Sequence, residues 1–382
     1  VIEADPFFHM VNHRPLADPR LTIFVEDGRN IIETTRQSYD VIVSEPSNPW
    51  MAGIAALFTR EYYEKCRKGL SPGGVMCQWL QAYSTSLDDF KTIARTFGSV
   101  FPHHAMYRVS TGDFLLLGSD QPLIPNLQAI QRRILTHPPL RQDLRMFCSS
   151  DDIRALLVRY FIFGGASYDA FCKDAPILRD YHNTLEYSAV RNLFTQSEEA
   201  SRAIEQAIYS HKNQILPRDT ALRLTGKDRD LSAAFLDVAE KCFSAGNIAV
   251  AQACYEWALR ADPDNEWAHA GLLRTALLTG QDSEQIAQLT ARVSAAHPSV
   301  GYTTCRRLFE AGQVDTARII LEQMIERYPD SSTLKIRLAS ALANLDRPER
   351  AMSLLQKLHA EDPLNEEVQS TMLLFEMNRP GE

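Results

Sequence analysis

Continuous apolar runs that end in acids or glycines dominate the first third of the chain. Asp40-Val41-Ile42-Val43-Ser44 lacks polar alternation, the pattern of a parallel strand buried on both faces. Leu21–Val25 is a similar run ending in Glu26-Asp27-Gly28, and Val75–Trp79 follows the turn Pro72-Gly73-Gly74. Val1–Asp5 reads as the end of a strand with an acid at its tip. Residues 29–36, 58–68 and 86–98 have helical spacing, the last with Ser86 as an N-cap and Asp88-Asp89 in its first turn. His104–Val109 and Phe114–Gly118, split by Ser110-Thr111-Gly112-Asp113, read as an antiparallel hairpin at the sheet edge. This alternation predicts a doubly wound α/β sheet over residues 1–119. A Gly-rich turn normally precedes the acidic strand tip in such a sheet, so the first βα unit is expected upstream of Val1 and these residues are expected to be a fragment of the domain.

Residues 120–229 read as a mostly helical linker, broken by Pro122, Pro125 and Pro138-Pro139, with Arg132-Arg133 and Arg141 to Arg145 on a solvated face. From residue 230 to 382 the pattern becomes paired helices with a repeat. Gly246-Asn247, Gly280-Gln281, Gly312-Gln313 and Asp346-Arg347 recur at spacings of 34, 32 and 34. Asp262-Pro263, His297-Pro298, Tyr328-Pro329 and Asp362-Pro363 keep step with them. A period near 34 with a turn residue, a small residue (Ala253, Ala317, Ala351) and a closing proline resembles tetratricopeptide repeats. Such helices bury their apolar faces by stacking, so Tyr255, Trp257 and Trp267 are expected in the repeat core. The concave face would suit a protein partner, and the stack could also serve a homo-oligomer.

At 382 residues the chain can hold two or three domains. The net charge of -8 argues against a nucleic-acid partner and suits a cationic substrate. Seven scattered cysteines without a CxxC pair read as reduced thiols, predicting a cytoplasmic setting for these residues. No run approaches the roughly 18 apolar residues of a membrane span; a membrane domain upstream stays open. His103-His104 has no acid or cysteine at ligand spacing, so no metal is expected.

The candidate chemistry lies at the carboxyl ends of the strands, where open α/β sheets bind ligands. Glu3 at its strand tip would accept hydrogen bonds from ribose hydroxyls, or stand as a surface acid. Asp27 would accept from an adenine amine while Gly28 lets the ring approach the backbone; Asp27 also suits a helix N-cap. Glu45, in a loop stiffened by Pro46 and Pro49, would attract a cationic amine or take its proton. Asn48, Gln78 and Trp79 share that rim as amine-binding and wall residues, with a capped turn and plain core packing as the alternatives.

These motifs in combination resemble the polyamine aminopropyltransferases, the spermidine and spermine synthases, over residues 1–119. The likeness rests on the acidic tip at Val1–Asp5, Glu26-Asp27-Gly28, Tyr39–Val43, Leu57-Phe58 with Tyr62-Tyr63, and Pro72-Gly73-Gly74. It implies a Rossmann-like domain that moves an aminopropyl group from decarboxylated S-adenosylmethionine to a di- or polyamine. It implies that Glu3 holds ribose, Asp27 and Gly28 hold adenine, Glu45 deprotonates or orients the amine, and Asn48 grips it. The family's loop reads Asp-Ser-Ser-Asp-Pro where this chain has Glu45-Pro46-Ser47-Asn48-Pro49, so one carboxylate is lost. Gln78 stands one residue nearer the glycine pair than the family's glutamine, which would turn it to the opposite face. Leu185-Glu186-Tyr187, with Asp180 before it, resembles a tail element of the bacterial synthase-like branch. A class I methyltransferase and a decayed scaffold presenting the repeats are the competing readings. The fragment alone is expected to be inactive.

Overall fold

The computed structural model describes residues 2–377 except 13, 47–48, 50, 52, 193–196, 218–223, 225–226, 280–285, 287–304, 306–307, 309–311, 313 and 345–347. A 3-10 helix, Ile2–Phe8, and α1 (His9–Asn12) lead to α2 (Gly28–Thr34), β1 (Tyr39–Ser44), a second such turn Ile54–Phe58, α3 (Arg60–Gly69) and β2 (Leu70–Gln81). Next come α4 (Leu87–Gly98), the hairpin β3 (His103–Ser110) and β4 (Asp113–Ser119), α5 (Leu127–Thr136), α6 (Pro138–Cys148), α7 (Ile153–Tyr160) and β5 (Phe161–Gly164). Helices α8 (Ala166–Cys172), α9 (Leu185–Asn192) and α10 (Ser197–His211) lead to the repeats. These are α11 (Arg229–Ser244), α12 (Ile248–Ala261), α13 (Glu266–Thr279), α14 (Val314–Arg327), α15 (Ser332–Asn344), α16 (Pro348–Glu361) and α17 (Glu366–Met377).

The strands form one open mixed sheet in the order β1-β2-β4-β3-β5. Only β1 and β2 run parallel, joined through α3; the other neighbours are antiparallel. On the covered face, Leu80 lies opposite Phe114 and Gln78 opposite Leu116, all buried. Helices α3 and α4 close this face, with Phe90 edge-on to Phe114 and Tyr63 edge-on to Phe97, both at 5.1 Å. Ser86 caps α4 as its spacing predicts, its hydroxyl accepting from Asp89 N.

Two expected strands do not form. Residues 2–8 are a 3-10 helix, and Leu21–Val25 has no regular structure, with Phe24 and Val25 exposed. A strand needs a neighbour for its N–H and C=O groups. In the doubly wound order the first strand separates the fourth from the second and third. Here β1 holds the fourth place, and among the described residues no βα unit lies beyond it. Its edge is open, and the strand is not buried on both faces as its apolar run predicts: Val41 is 58% and Val43 64% exposed. The opposite edge carries a correction too. The hairpin is not the end of the sheet, because β5, from a stretch expected to be helical, pairs with β3. Side chains cover this edge: Lys212 Nζ donates to Phe161 O at 2.7 Å and Ile162 O at 2.6 Å, and Gln214 Oε1 accepts from Gly164 N.

Helix α7 packs on α11, so one hydrophobic core runs from the sheet into the first repeat. Gly246 and Gly312 take the positive φ that their turns require, 78° and 73°. The small buried position is Ala251, five residues after Gly246 as Ala317 follows Gly312 and Ala351 follows Asp346; Ala253 is only half-buried. Tyr255 is fully buried and Trp257 stacks on Phe235 at 5.8 Å, but Trp267 is 64% exposed and is not core. The markers at 280–281, 297–298 and 346–347 lie outside the described residues. Gly271 on α13 sets the closest approach of the first two repeats: a Cβ there would fall 2.1 Å from the Tyr255 ring. That ring is held by its hydroxyl on Glu240 and by Arg274. Gly271→Ala is expected to destabilise the repeats by about 1–3 kcal/mol through overpacking. A urea titration reads it, and an unmoved or raised midpoint would show that the ring gives way.

Candidate active site

A cavity of about 400 Å³ opens at the free edge of β1, between that strand, α2, the Ile54–Phe58 turn and α3. Ile31, Ile32, Val41, Val43 and Leu57 supply an apolar wall. Gly28 lines it from the start of α2, and Ser44, Glu45 and Pro46 line it from the carboxyl end of β1. The size and the few convergent polar groups suit a small-molecule site.

The Glu45 end is built from three elements. Ser44 pairs with Gln78 across the parallel ladder, so both face the helix-covered side. Gln78 is fully buried; its Nε2 donates to Ser44 O at 3.2 Å and Trp79 O at 2.9 Å, while its Oε1 is buried without a partner. The Tyr62 hydroxyl, from α3, donates to Ser44 Oγ at 3.3 Å. Burial holds the Tyr62 phenol well above its ordinary pKa, so it stays a neutral donor. Glu45 itself is exposed. Its charge acts on the other face of β2: burial first, then Glu45, raises the Cys77 thiol, and burial, Asp113 and Glu45 raise the Tyr83 phenol.

The other predicted residues are less tightly gathered. Trp79 is half-buried beside Tyr83, its Nε1 donating to Asp113 Oδ1 at 3.2 Å, and it does not line the cavity. Asp27 follows no strand; it is the N-cap of α2, and its Oδ1 accepts from Arg29 N at 2.7 Å and Asn30 N at 3.2 Å. Glu3 is exposed on the 3-10 helix, away from any strand tip, and is not among the lining residues. Asn48 lies outside the described residues, as do Ser47 and Trp50. Sequence reasoning missed Ser44 and the Tyr62 hydroxyl. The adjacent Tyr62-Tyr63 pair is the signal: a helix that buries two neighbouring tyrosines places at least one hydroxyl against the sheet.

Fold and cavity together define an open α/β domain with a cavity along the β1 edge of its sheet, joined to a helical repeat. The model of the spermine/spermidine synthase domain matches residues 4–114, and models of the tetratricopeptide repeat match residues 243–299 and 308–373. The chain carries a spermidine synthase-like domain fused to tetratricopeptide repeats. The polyamine aminopropyltransferase of Enterobacter sp. (strain 638) is 35% identical over 88 residues, covering 22% of this chain and 30% of that protein. That of Klebsiella pneumoniae (strain 342) is 42% identical over 69 residues, 18% of this chain and 24% of that protein. That of Korarchaeum cryptofilum (strain OPF8) is 28% identical over 123 residues, 30% of this chain and 38% of that protein. The chain thus spans well under half of these relatives. Among the described residues, no helix is long and apolar enough to cross a membrane.

Proposed function

We propose that the domain is a transferase of the spermidine synthase type, moving an aminopropyl group from decarboxylated S-adenosylmethionine to a di- or polyamine. The observation that carries the reading is the convergence of Gly28 and Glu45 on one apolar cavity, with the Ser44–Gln78–Tyr62 cluster at the Glu45 end. In this reading Asp27 and Gly28 hold the adenine, and Glu3 is the acid for the ribose. The amine nitrogen attacks the aminopropyl carbon bound to the sulfonium; the carbon–sulfur bond breaks, and a neutral thioether leaves. The nitrogen must attack as a free amine, so its proton passes to the Glu45 carboxylate, which is solvent-accessible and has no side-chain partner among the described residues. Gln78 Oε1, buried and unpartnered, is an acceptor near that end. Asn48 and Gln78 remain the proposed amine-binding groups; Trp79, on the opposite face of β2 from Gln78, is not one of them. The repeats would offer a surface to a protein partner or a second copy.

The test incubates the full-length protein with decarboxylated S-adenosylmethionine, and separately with S-adenosylmethionine, against a panel of diamines, and reads product masses. Aminopropylated amine from the decarboxylated compound alone is the expected result. Methylated product would assign a methyltransferase, and no product with either would sink the transferase reading for simple amines.

A further inference from the structure

Helix α2 presents Gly28 to the cavity, yet none of its residues is buried. Ile32 packs the inner side of the helix against the core, and Arg29 ties the helix by polar contacts to the rest of the domain. The Arg29 guanidinium grips Asp180 with both ends, Nη1 to Oδ1 at 3.0 Å and Nη2 to Oδ2 at 2.6 Å, and Nη1 also donates to Ala56 O at 2.9 Å. Arg29 and Asp180 are 151 residues apart in sequence. The same Asp180 Oδ1 accepts from the Thr59 hydroxyl at 2.7 Å, and Thr59 is fully buried. Thr59 is the N-cap of α3, its Oγ1 accepting from Tyr62 N, and the Tyr62 hydroxyl reaches Ser44 beside Glu45. One carboxylate therefore joins the wall that presents Gly28 to the wall that presents Ser44 and Glu45.

We infer that Asp180 is a positioning residue for this site: it fixes the distance between the adenosyl-binding wall and the amine-activating wall without touching either ligand. The inference rests on the proposed function and adds a residue to it. The pair is partly exposed, with 42% of the Asp180 side chain open to solvent, so it contributes little to global stability and its effect is on local geometry. A bidentate arginine clamp suits that role because it fixes orientation as well as distance. The Arg29 hydrogen bonds hold the Asp180 carboxyl below its ordinary pKa, so the clamp stays ionised at neutral pH.

The experiment compares full-length wild type with Asp180→Ala, Asp180→Asn, Thr59→Val and Thr59→Ser, and with Asp120→Ala, which breaks the exposed Arg67–Asp120 pair, as a control. Three quantities are read: amide hydrogen exchange over residues 28–34, the dissociation constant for decarboxylated S-adenosylmethionine, and kcat. Asp180→Ala is expected to speed exchange in α2 but not in β2 or β4, to weaken cofactor binding about tenfold, and to lower kcat roughly 10- to 100-fold, as expected of misplaced reacting groups. Asp180→Asn falls between, Thr59→Val lowers kcat, Thr59→Ser restores it, and Asp120→Ala matches wild type. Wild-type binding with unaltered α2 exchange and affinity in Asp180→Ala would overturn the inference and leave the functional reading standing. A wild type that binds no decarboxylated S-adenosylmethionine would overturn the functional reading, and the inference with it.

Discussion

Glu45→Gln in the full-length protein lowers turnover by roughly 10²- to 10⁴-fold, the usual worth of a positioned general base, while affinity for the adenosyl compound stays within about twofold. The two halves of this expectation follow from where Glu45 sits. It lines the cavity at the end of β1 and not beside Gly28, so an amide of the same shape leaves the adenosyl wall intact. Glutamine can still accept a hydrogen bond from an ammonium but cannot take its proton. Rate should recover in part at high pH, where more of the amine is already neutral. That pH dependence separates a base from a mere binding group. Loss of affinity for the amine with kcat unchanged would make Glu45 an electrostatic anchor, and an unchanged rate would remove it from the chemistry.

Features written in short, contiguous stretches were legible in the sequence. The β1 run, the β3–β4 hairpin around Thr111-Gly112 and the Ser86 cap each carry their own turn or capping chemistry. What failed depends on partners far along the chain. Leu21–Val25 has the apolar composition of a strand but pairs with no neighbour, so composition alone misleads. Phe161–Gly164 is too short for periodicity to distinguish from the helix before it, and becomes a strand because the β3 edge is open to it. Ala253 is the wrong choice because alanines crowd α12 at 249, 251, 253, 258 and 261, and the choice among them is made by packing. For the cavity, a strand tip with an acid was enough to point to Glu45 as a lining residue. The chain of contacts from Arg29 through Asp180 and Thr59 to Tyr62 joins three separate segments, and no local pattern announces it.

The two sheet edges are finished differently, and the covered one predicts the largest stability effect. Lys212 is fully buried, with its ammonium on two backbone carbonyls of β5 and 5.5 Å from the centre of the Phe161 ring. Its own carbonyl accepts from Asn247 Nδ2, so it stands between the sheet edge and the first repeat. The groups that act on it are Cys242 and Lys241 of α11 and Cys254 of α12; no carboxylate is among them. Desolvation lowers its pKa from 10.5 to about 8. The folded state therefore holds fewer protons than the unfolded one between those values, and stability from this group rises with pH across that window. Below about pH 8 the buried charge costs its full amount; by pH 10.5 the cost is gone. The span corresponds to about 3 kcal/mol. Lys212→Met removes this slope. It also leaves the Phe161 and Ile162 carbonyls without their donor, a penalty of about 1–3 kcal/mol for each buried group that shifts the curve without tilting it. The buried thiols of Cys242 and Cys254, pushed up to about 11 and about 12, act in the opposite sense. Their folded values exceed the ordinary 9, so stability from them falls as pH rises past 9 in both proteins, and further in the variant, where the ammonium no longer lowers them. The difference between the two proteins, measured by urea unfolding from pH 7 to 10, reports the lysine together with its coupling to these two thiols, and both change it in the same direction. It should move by a few kcal/mol in favour of wild type as pH rises; parallel curves would mean that water reaches the ammonium and that the β5 edge is not sealed by a buried charge.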